Sequence, residues 1–516
     1  MVTDVAPSVP AVNAGQRRWT LIVACLGVLL VISSMVALNT ALGDIAMATS
    51  ADQTQLTWIV DSYTLVLACG LLPAGAIGDR YGRRGALLFG LAVFAAASLV
   101  PVLSTAPLHI IAARAAAGLG AAFVMPATLS LITCSYPKEQ RTKAVGIWAG
   151  IAGAGGVFGM LGSGVLLHFW SWQSIFWAFT ASAAGLAALT ATIGSSRDTD
   201  AKPLDTAGAA VIAGAVAALV FGILTAPERG WTDALVLTCL VGGAALLIAF
   251  AILELRVRYP LLDVRLFAIP EFGTGAAAIT VLFLVMFGFF YLAMQFMQLV
   301  MGYSAIGTAF ALSPLAVPML ILSPLSSWYL PRMGLRAVVF SGLLLLAAGL
   351  LGLRLVHLDS PYWDLAWPLL VVSTGVGIFT APTTSAIMSA APDDKQGVAS
   401  AVNDTTREVG AALGIALTGS LLASGYAHHI APAIDALPLP VREAARGSLA
   451  GATAAAAHLG PAAGQLLLVA RLAFLQAMQT TLLVLAIITA VAAVVIACWA
   501  PGRGRSTERV PKHRRK

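Results

Sequence analysis

Asp404, Arg407 and Glu408 stand inside one long apolar run, in Ala401-Val-Asn403-Asp404-Thr-Thr-Arg407-Glu408-Val-Gly410. Residues four apart share a helix face, so the two carboxylates point the same way, while Arg407 lies one position off and can pair with either acid or with its own backbone. An ionisable group inside a membrane span costs at least about 2.5–3.5 kcal/mol on insertion scales, which makes each one a functional candidate by default. Two acids on one cavity-facing surface suit a proton or cation site, because either ligand relieves their desolvation and mutual repulsion. The competing reading is structural: Arg407 neutralises one acid as a packing pair, and the other reaches water near a helix end. Asp61 and Arg114 are further candidates of the same kind. Asp61, in Thr57-Trp58-Ile-Val-Asp61-Ser-Tyr63, lies a few residues inside the outer end of its run. It could meet substrate or a proton there, or simply favour a helix start through the dipole. Arg114, in His109-Ile-Ile-Ala-Ala-Arg114-Ala-Ala-Ala-Gly118-Leu-Gly120, is deeper, with snorkelling toward a helix end as its alternative.

A different chemistry sits in Gly75-Ala-Ile-Gly-Asp79-Arg80-Tyr-Gly82-Arg83-Arg84-Gly-Ala-Leu87, a short loop between two apolar runs that holds one acid among three arginines. A connector between helices needs only polar residues and a glycine, so this charge pattern implies a further task. Other chemistries find less support. His428 and His429 have too few companions for a metal site. Cys25, Cys69, Cys134, Cys239 and Cys498 show no paired spacing and read as small packing residues. No Gly-x-x-x-x-Gly-Lys loop is present, so a proton gradient rather than a nucleotide is the expected energy source. No catalytic residue, cofactor, metal or nucleic-acid partner is expected.

The elements that must position these residues are membrane helices. Of 516 residues 59% are hydrophobic and 10% charged, and the mean hydropathy is +0.89; soluble domains carry about 25% charged residues. A span needs roughly 20 apolar residues. Such runs fall near 19–42, 56–76, 86–104, 108–132, 144–167, 172–193, 206–225, 234–254, 274–298, 305–330, 337–357, 365–388, 400–424 and 473–499. The expectation is an all-α membrane protein of about 14 spans, and the unbroken runs exclude an alternating β-barrel. With the amino terminus inside, most of the 30 basic residues fall in cytoplasmic segments, so both termini are expected in the cytoplasm. Arg17 and Arg18 precede the first span, which reads as retained rather than as a cleaved signal. Arg503 to Lys516 form a basic tail, either solvated or resting on anionic lipid.

The basic loop has a weak second copy, Leu330-Pro-Arg332-Met-Gly334-Leu-Arg336, between spans 10 and 11. If a second six-helix unit starts at span 9, both loops follow the second helix of their unit, which leaves spans 7 and 8 as an inserted pair. The expected division is a tail at 1–18, a six-helix bundle at 19–193, the inserted pair with its linkers at 194–273, and a second bundle at 274–499. An external region at 425–472 and a basic tail at 500–516 complete it. Gly155 with Gly159 and Gly410 with Gly414 occupy equivalent helices, at a spacing that lets backbones approach closely. Short amphipathic helices at the membrane surface suit 425–472.

These pieces together resemble the 14-span drug:proton antiporter branch of the major facilitator superfamily, of the QacA type, over essentially the whole chain. The matching segments are Trp58 to Ala68, the loop Gly75 to Leu87, Arg114 with Gly118 and Gly120, Leu261-Leu-Asp263-Val-Arg265-Leu-Phe267, Gln298, and Ala401 to Gly410. The resemblance implies a major facilitator fold of two six-helix bundles with two inserted helices. It implies proton-coupled efflux of amphipathic, cationic or antibiotic-like compounds across the plasma membrane by alternating access, with the lipid bilayer as surroundings and a functional monomer. Gly75, Asp79, Arg80, Gly82, Arg83 and Arg84 would couple the bundles, with Asp79 near a facing helix end. Arg114 would belong to a polar relay, and Asp61, Asp404, Glu408 and Arg407 to proton coupling or cation recognition. Gly146, Gly155, Gly159 and Gly164 would form the antiporter helix. Cavity candidates are Trp58, Tyr63, Trp148, Phe290, Tyr291, Gln295, Gln298 and Asn403. The chain departs from the pattern at Ser34, where relatives carry an aspartate, at Met160 and Ser163 in the antiporter helix, and at Ala117. A dedicated exporter of one metabolite or antibiotic, an uptake symporter and a non-transporting membrane sensor are the alternatives.

Overall fold

The computed structural model describes residues 13–194, 203–435, 437–456 and 463–502. The basic tail from 503 onward lies outside them. Among the described residues there are helices and turns but no strand. In chain order the α-helices are α1 (Ala14–Ala37), α2 (Leu42–Thr49), α3 (Gln53–Tyr81), α4 (Arg83–Leu103), α5 (Pro107–Ser135), α6 (Lys138–Phe169), α7 (Gln173–Ala191), α8 (Thr206–Arg229) and α9 (Ala234–Arg256). Then come α10 (Pro270–Gln295), which runs on into a π-helical turn, α11 (Ala305–Leu312), α12 (Ala316–Leu353), α13 (Tyr362–Ala390), α14 (Gln396–Ile434), α15 (Leu439–Gly447), α16 (Leu449–Ala456) and α17 (Ala463–Trp499).

Among the described residues, thirteen helical stretches are long and apolar enough to cross a membrane, and one of them, Ile306–Leu353, breaks at Gly334 into two. The result is the expected all-α, multi-pass membrane protein of about 14 spans. Boundaries differ at the carboxy-terminal end. The span expected to stop near 424 continues to Ile434, and the last begins at Ala463 rather than near 473. Leucine and alanine, which favour helix strongly, carry the second extension, whereas the first runs through Pro432 and is tied to α15 by Tyr426 Oη, which donates to Ala445 O. Short α2, between the first two spans, had no sequence signal.

Successive spans run antiparallel, so the molecule has a proximal face, where α1 begins, and a distal face, where it ends. α1 packs on α5, α6 and α7; α3 and α4 pack on α5. Among the later helices, α10 lies on α13, α14 and α17, and α12 on α13 and α17. α8 wedges against both α3 and α14, and α9 packs on α8 while showing Leu237, Val241, Ile248 and Ile252 outward.

Two proximal turns repeat the same construction. Gly82 (φ 113°) and Gly334 (φ 79°) hold backbone conformations closed to most side chains and so reverse or break the helices they interrupt. Two residues after each, an arginine ties the turn to the last helix of its own six: Arg84 Nη1 donates to Ile193 O at 2.9 Å, and Arg336 Nε to Ala500 O at 2.9 Å. Three residues before each, the symmetry fails. Asp79 precedes Gly82, whereas Pro331 precedes Gly334.

Helix pairs close tightly where glycine removes a Cβ. A Cβ on Gly414 would overlap Leu284 O, whose carbonyl carbon lies 2.8 Å away, between α14 and α10; one on Gly162 of α6 would meet nothing. Gly414→Ala is therefore expected to destabilise by about 1–3 kcal/mol. Gly162→Ala leaves stability level or raised by up to about 1 kcal/mol. Thermal melts of the detergent-solubilised protein check the contrast.

Candidate functional site

The proximal turn at Gly82 reaches across the molecule. Asp79, at the end of α3, is buried, and its two carboxylate oxygens accept the backbone N–H groups of Gly397 (2.9 Å) and Val398 (3.0 Å) in the first turn of α14. Those amides have no carbonyl within their own helix, and the helix dipole favours an anion there. Arg83 holds the same carboxylate through Nε (3.0 Å) and Nη2 (2.7 Å). The backbones can meet because Gly75 and Gly397 are both glycine: a Cβ on Gly75 would stand 2.5 Å from Gly397 O. Arg141 at the start of α6 adds an ion pair to Asp393 at 3.0 Å, and Thr142 and Ser385 hydroxyls lie 3.2 Å apart. Of the loop residues, Arg84 binds Ile193 as described, and the Arg80 guanidinium sits over the Tyr81 ring.

Further along α14 lie the acids. At roughly 1.5 Å per residue, Asp404 lies about 12 Å and Glu408 about 18 Å along α14 from Gln396. Asp404 is 1%, Arg407 2% and Glu408 5% exposed, so neither acid reaches bulk water and that alternative falls away. Arg407 stands 3.9 Å from Asp404 and lies over the Trp148 and Phe283 rings, at 5.0 and 5.2 Å from their centroids. A desolvated cation–π contact of this kind contributes about 2 kcal/mol. Trp148 is itself fixed by donating Nε1–H to Thr128 Oγ1, and Asn403 Nδ2 donates to Asp404 Oδ1 at 3.1 Å. Glu408 has no such partner. It makes no hydrogen bond or ion pair among the described residues, and its Oε2, with Asp404 Oδ2 and Arg407 Nε, is a buried polar atom without a hydrogen bond. Trp148 and Asn403 thus join the acids, whereas Phe283 and Thr128 are additional members that only the folded arrangement identifies.

Arg114 forms a second buried centre. Its guanidinium donates to Ser34 Oγ (3.0 Å), Ser34 O (3.2 Å) and Ile59 O (3.2 Å) and lies 4.1 Å from the Tyr63 ring centroid. It is anchored inside the protein, not snorkelling. Ser34, singled out only as a departure from the family pattern, is its main partner, so a neutral hydroxyl stands where a carboxylate would neutralise it. Tyr63 is fully buried and donates to Val31 O, which makes it a wall of this centre.

Asp61 is half-buried and stands about five turns from Asp79 on the same side of α3, the side toward α14. Trp58, near it, stacks on Phe221 of α8 at 5.7 Å. The α6 glycines divide. Gly146 lies against Ser323 O and Gly164 against Ile306, both in the later helices, while Gly155 and Gly159 lie against Ile32 and Ser33 of α1. Phe290 packs with Phe287 and Phe289 on α10, Tyr291 and Gln298 are exposed, and Gln295 Nε2 reaches its own helix at Tyr291 O. The structure does not bring these four to the acidic cluster.

The two acids are expected to behave differently when neutralised. Asp404→Asn leaves Arg407 without its nearest counter-charge and should cost up to about 3–5 kcal/mol. Glu408→Gln keeps the shape and removes an unpaired buried charge, so the melting temperature should hold or rise. Melts of the two variants side by side check this.

The comparisons with known proteins agree with this geometry. The family model described as Major Facilitator Superfamily matches residues 24–415. The chain is 32% identical to the multidrug resistance protein Stp of Mycobacterium tuberculosis, over 82% of this chain and 79% of that one. It is also 32% identical to the methyl viologen resistance protein SmvA of Salmonella typhimurium, over 89% and 93%, and 31% to the tetracenomycin C resistance and export protein of Streptomyces glaucescens, over 80% and 78%. Among solved structures, the human organic anion transporter MFSD10 (TETRAN) superimposes with a TM-score of 0.61 at 15% identity, covering 92% of this chain and 99% of that one. The proton:xylose symporter XylE does so with 0.59 at 14%, covering 95% and 97%. Motifs, helix count and fold converge: the chain belongs to the major facilitator superfamily.

Proposed function

We propose that the protein is a proton-coupled exporter of amphipathic organic compounds, working by alternating access in a bacterial plasma membrane with both termini in the cytoplasm. The observation that carries the reading is Glu408: a buried carboxylate, 5% exposed, inside a membrane-length helix, beside an Arg407 that stands against Asp404 and two aromatic rings. A proton or an organic cation bound there completes the charge balance that Arg407 leaves unfinished. Inward movement of one proton releases about 2.3 kcal/mol per 100 mV of membrane potential. The two six-helix bundles would rock about this centre, with the inserted pair between them, as a monomer. The Asp79 contact to α14 closes the proximal, cytoplasmic side, and must break for substrate to enter from that side. Names of relatives support export: multidrug resistance for Stp, resistance and export of tetracenomycin C, and resistance to methyl viologen and to puromycin.

Substrate-induced proton movement in everted vesicles tests the reading. A cationic dye or antibiotic added to vesicles holding the wild-type chain is expected to dissipate the pH gradient. Glu408→Gln should lose at least about 90% of that response, and Asp61→Asn, nearer the outside, should lose less. Export of one compound only would identify a dedicated exporter; no proton movement with any compound that is exported would refute the coupling.

A further inference from the structure

The inserted pair is hydrogen-bonded to α14 at both faces of the membrane. At the distal face, Trp231, in the turn between α8 and α9, donates Nε1–H to Ser420 Oγ at 2.9 Å. At the proximal face the segment after α9 folds back beneath the helices, and Lys395, the residue just before α14, donates its ammonium to Pro260 O (2.5 Å) and Leu261 O (3.3 Å). The next amide, Leu262 N–H, donates to Glu254 Oε2 near the end of α9, and Leu261 and Leu262 are buried. Glu254 and Asp205 then crowd the same side of Gly208, where Asp205 caps α8. A continuous set of contacts therefore runs from the start of α14 through the backbone at 260–262 to the ends of both inserted helices.

Toward α3, Trp58 stacks on Phe221, ring on ring at an interplanar angle of 28°. Dispersion between stacked rings is non-directional, and such a contact can re-form after a displacement. The Lys395 and Trp231 bonds cannot shift without leaving partners behind.

From the bonds to α14 at both ends we infer that the inserted pair travels with α14 and the second six-helix bundle, and that the Trp58–Phe221 stack is where it slides on α3 when the bundles rock. Lys395 is then a positioning residue. It stands two residues before the Asp79 contact, so release of the proximal side moves the segment 257–263 with α14. The inference rests on the rocking-bundle reading above.

Distances between spin labels in a cysteine-free background test it. Thr232→Cys with Ser424→Cys reports the pair against the second bundle, Thr232→Cys with Thr54→Cys reports it against α3, and Gly85→Cys with Met333→Cys reports the proximal opening. Each is measured with Asp79 intact and as Asp79→Ala. The expected result is that the third distance lengthens, the second shifts by several ångströms and the first holds. If the third moves and the first shifts with it, the pair does not belong to the second bundle and the inference fails alone. If the third never moves, the rocking reading fails and takes the inference with it. Lys395→Met combined with Trp231→Phe should let the first distance shift and cut export several-fold, while Lys395→Arg with Trp231 intact keeps both.

Discussion

One carboxylate, that of Asp79, crosses from α3 to the first turn of α14 and takes two backbone amides there. It draws strength from three sources at once: amides left open by the helix start, the dipole behind them, and the arginine fork of Arg83 that holds the carboxylate in place. Its reach depends on Gly75 and Gly397, since either Cβ would push the helices apart. The related turn at Gly334 offers Pro331 where an acid would stand, so the second turn cannot make the mirror contact. The Arg141–Asp393 ion pair and the Thr142–Ser385 hydroxyls add to the proximal closure, but the Asp79 contact has no mirror at the second turn.

α14 gathers what depends on that contact. Its first turn is the anion site, its middle carries Asp404, Arg407 and Glu408, its glycines let α10 approach, and Ser420 meets the inserted pair. A change of charge at Glu408 and a change of position at Gly397 are therefore events on one rigid helix. α6 faces it as the counterpart, with Trp148 under the Arg407 guanidinium and Gly146 against α12.

Much of this was legible in the chain. Span number follows from apolar run length, and the acid among arginines in the Gly82 turn announced a contact beyond the turn itself, because no local task requires it. Asp404 and Glu408 stood out because burying charge is costly. The partners were not legible. Phe283 and Thr128 are ordinary residues of apolar helices until Arg407 and Trp148 come to rest on them. Ser34 was visible only as a missing acid, whereas its Oγ and its backbone O each accept a hydrogen bond from Arg114. Lys395 looked like one more cytoplasmic charge, since its partners are backbone carbonyls that carry no sequence signature. The aromatic residues of α10 share a surface with one another, and of them Phe283 meets Arg407.

The most direct measurement is thiol accessibility behind the Asp79 contact. Ser400 is fully buried, one turn beyond the amides that Asp79 holds. A Ser400→Cys chain without its native cysteines should react slowly with a water-soluble maleimide applied from the proximal side, and Asp79→Ala should raise that rate at least about tenfold, the equivalent of roughly 1.4 kcal/mol. An unchanged rate in a folded Asp79→Ala chain would mean that the carboxylate does not hold the proximal side shut.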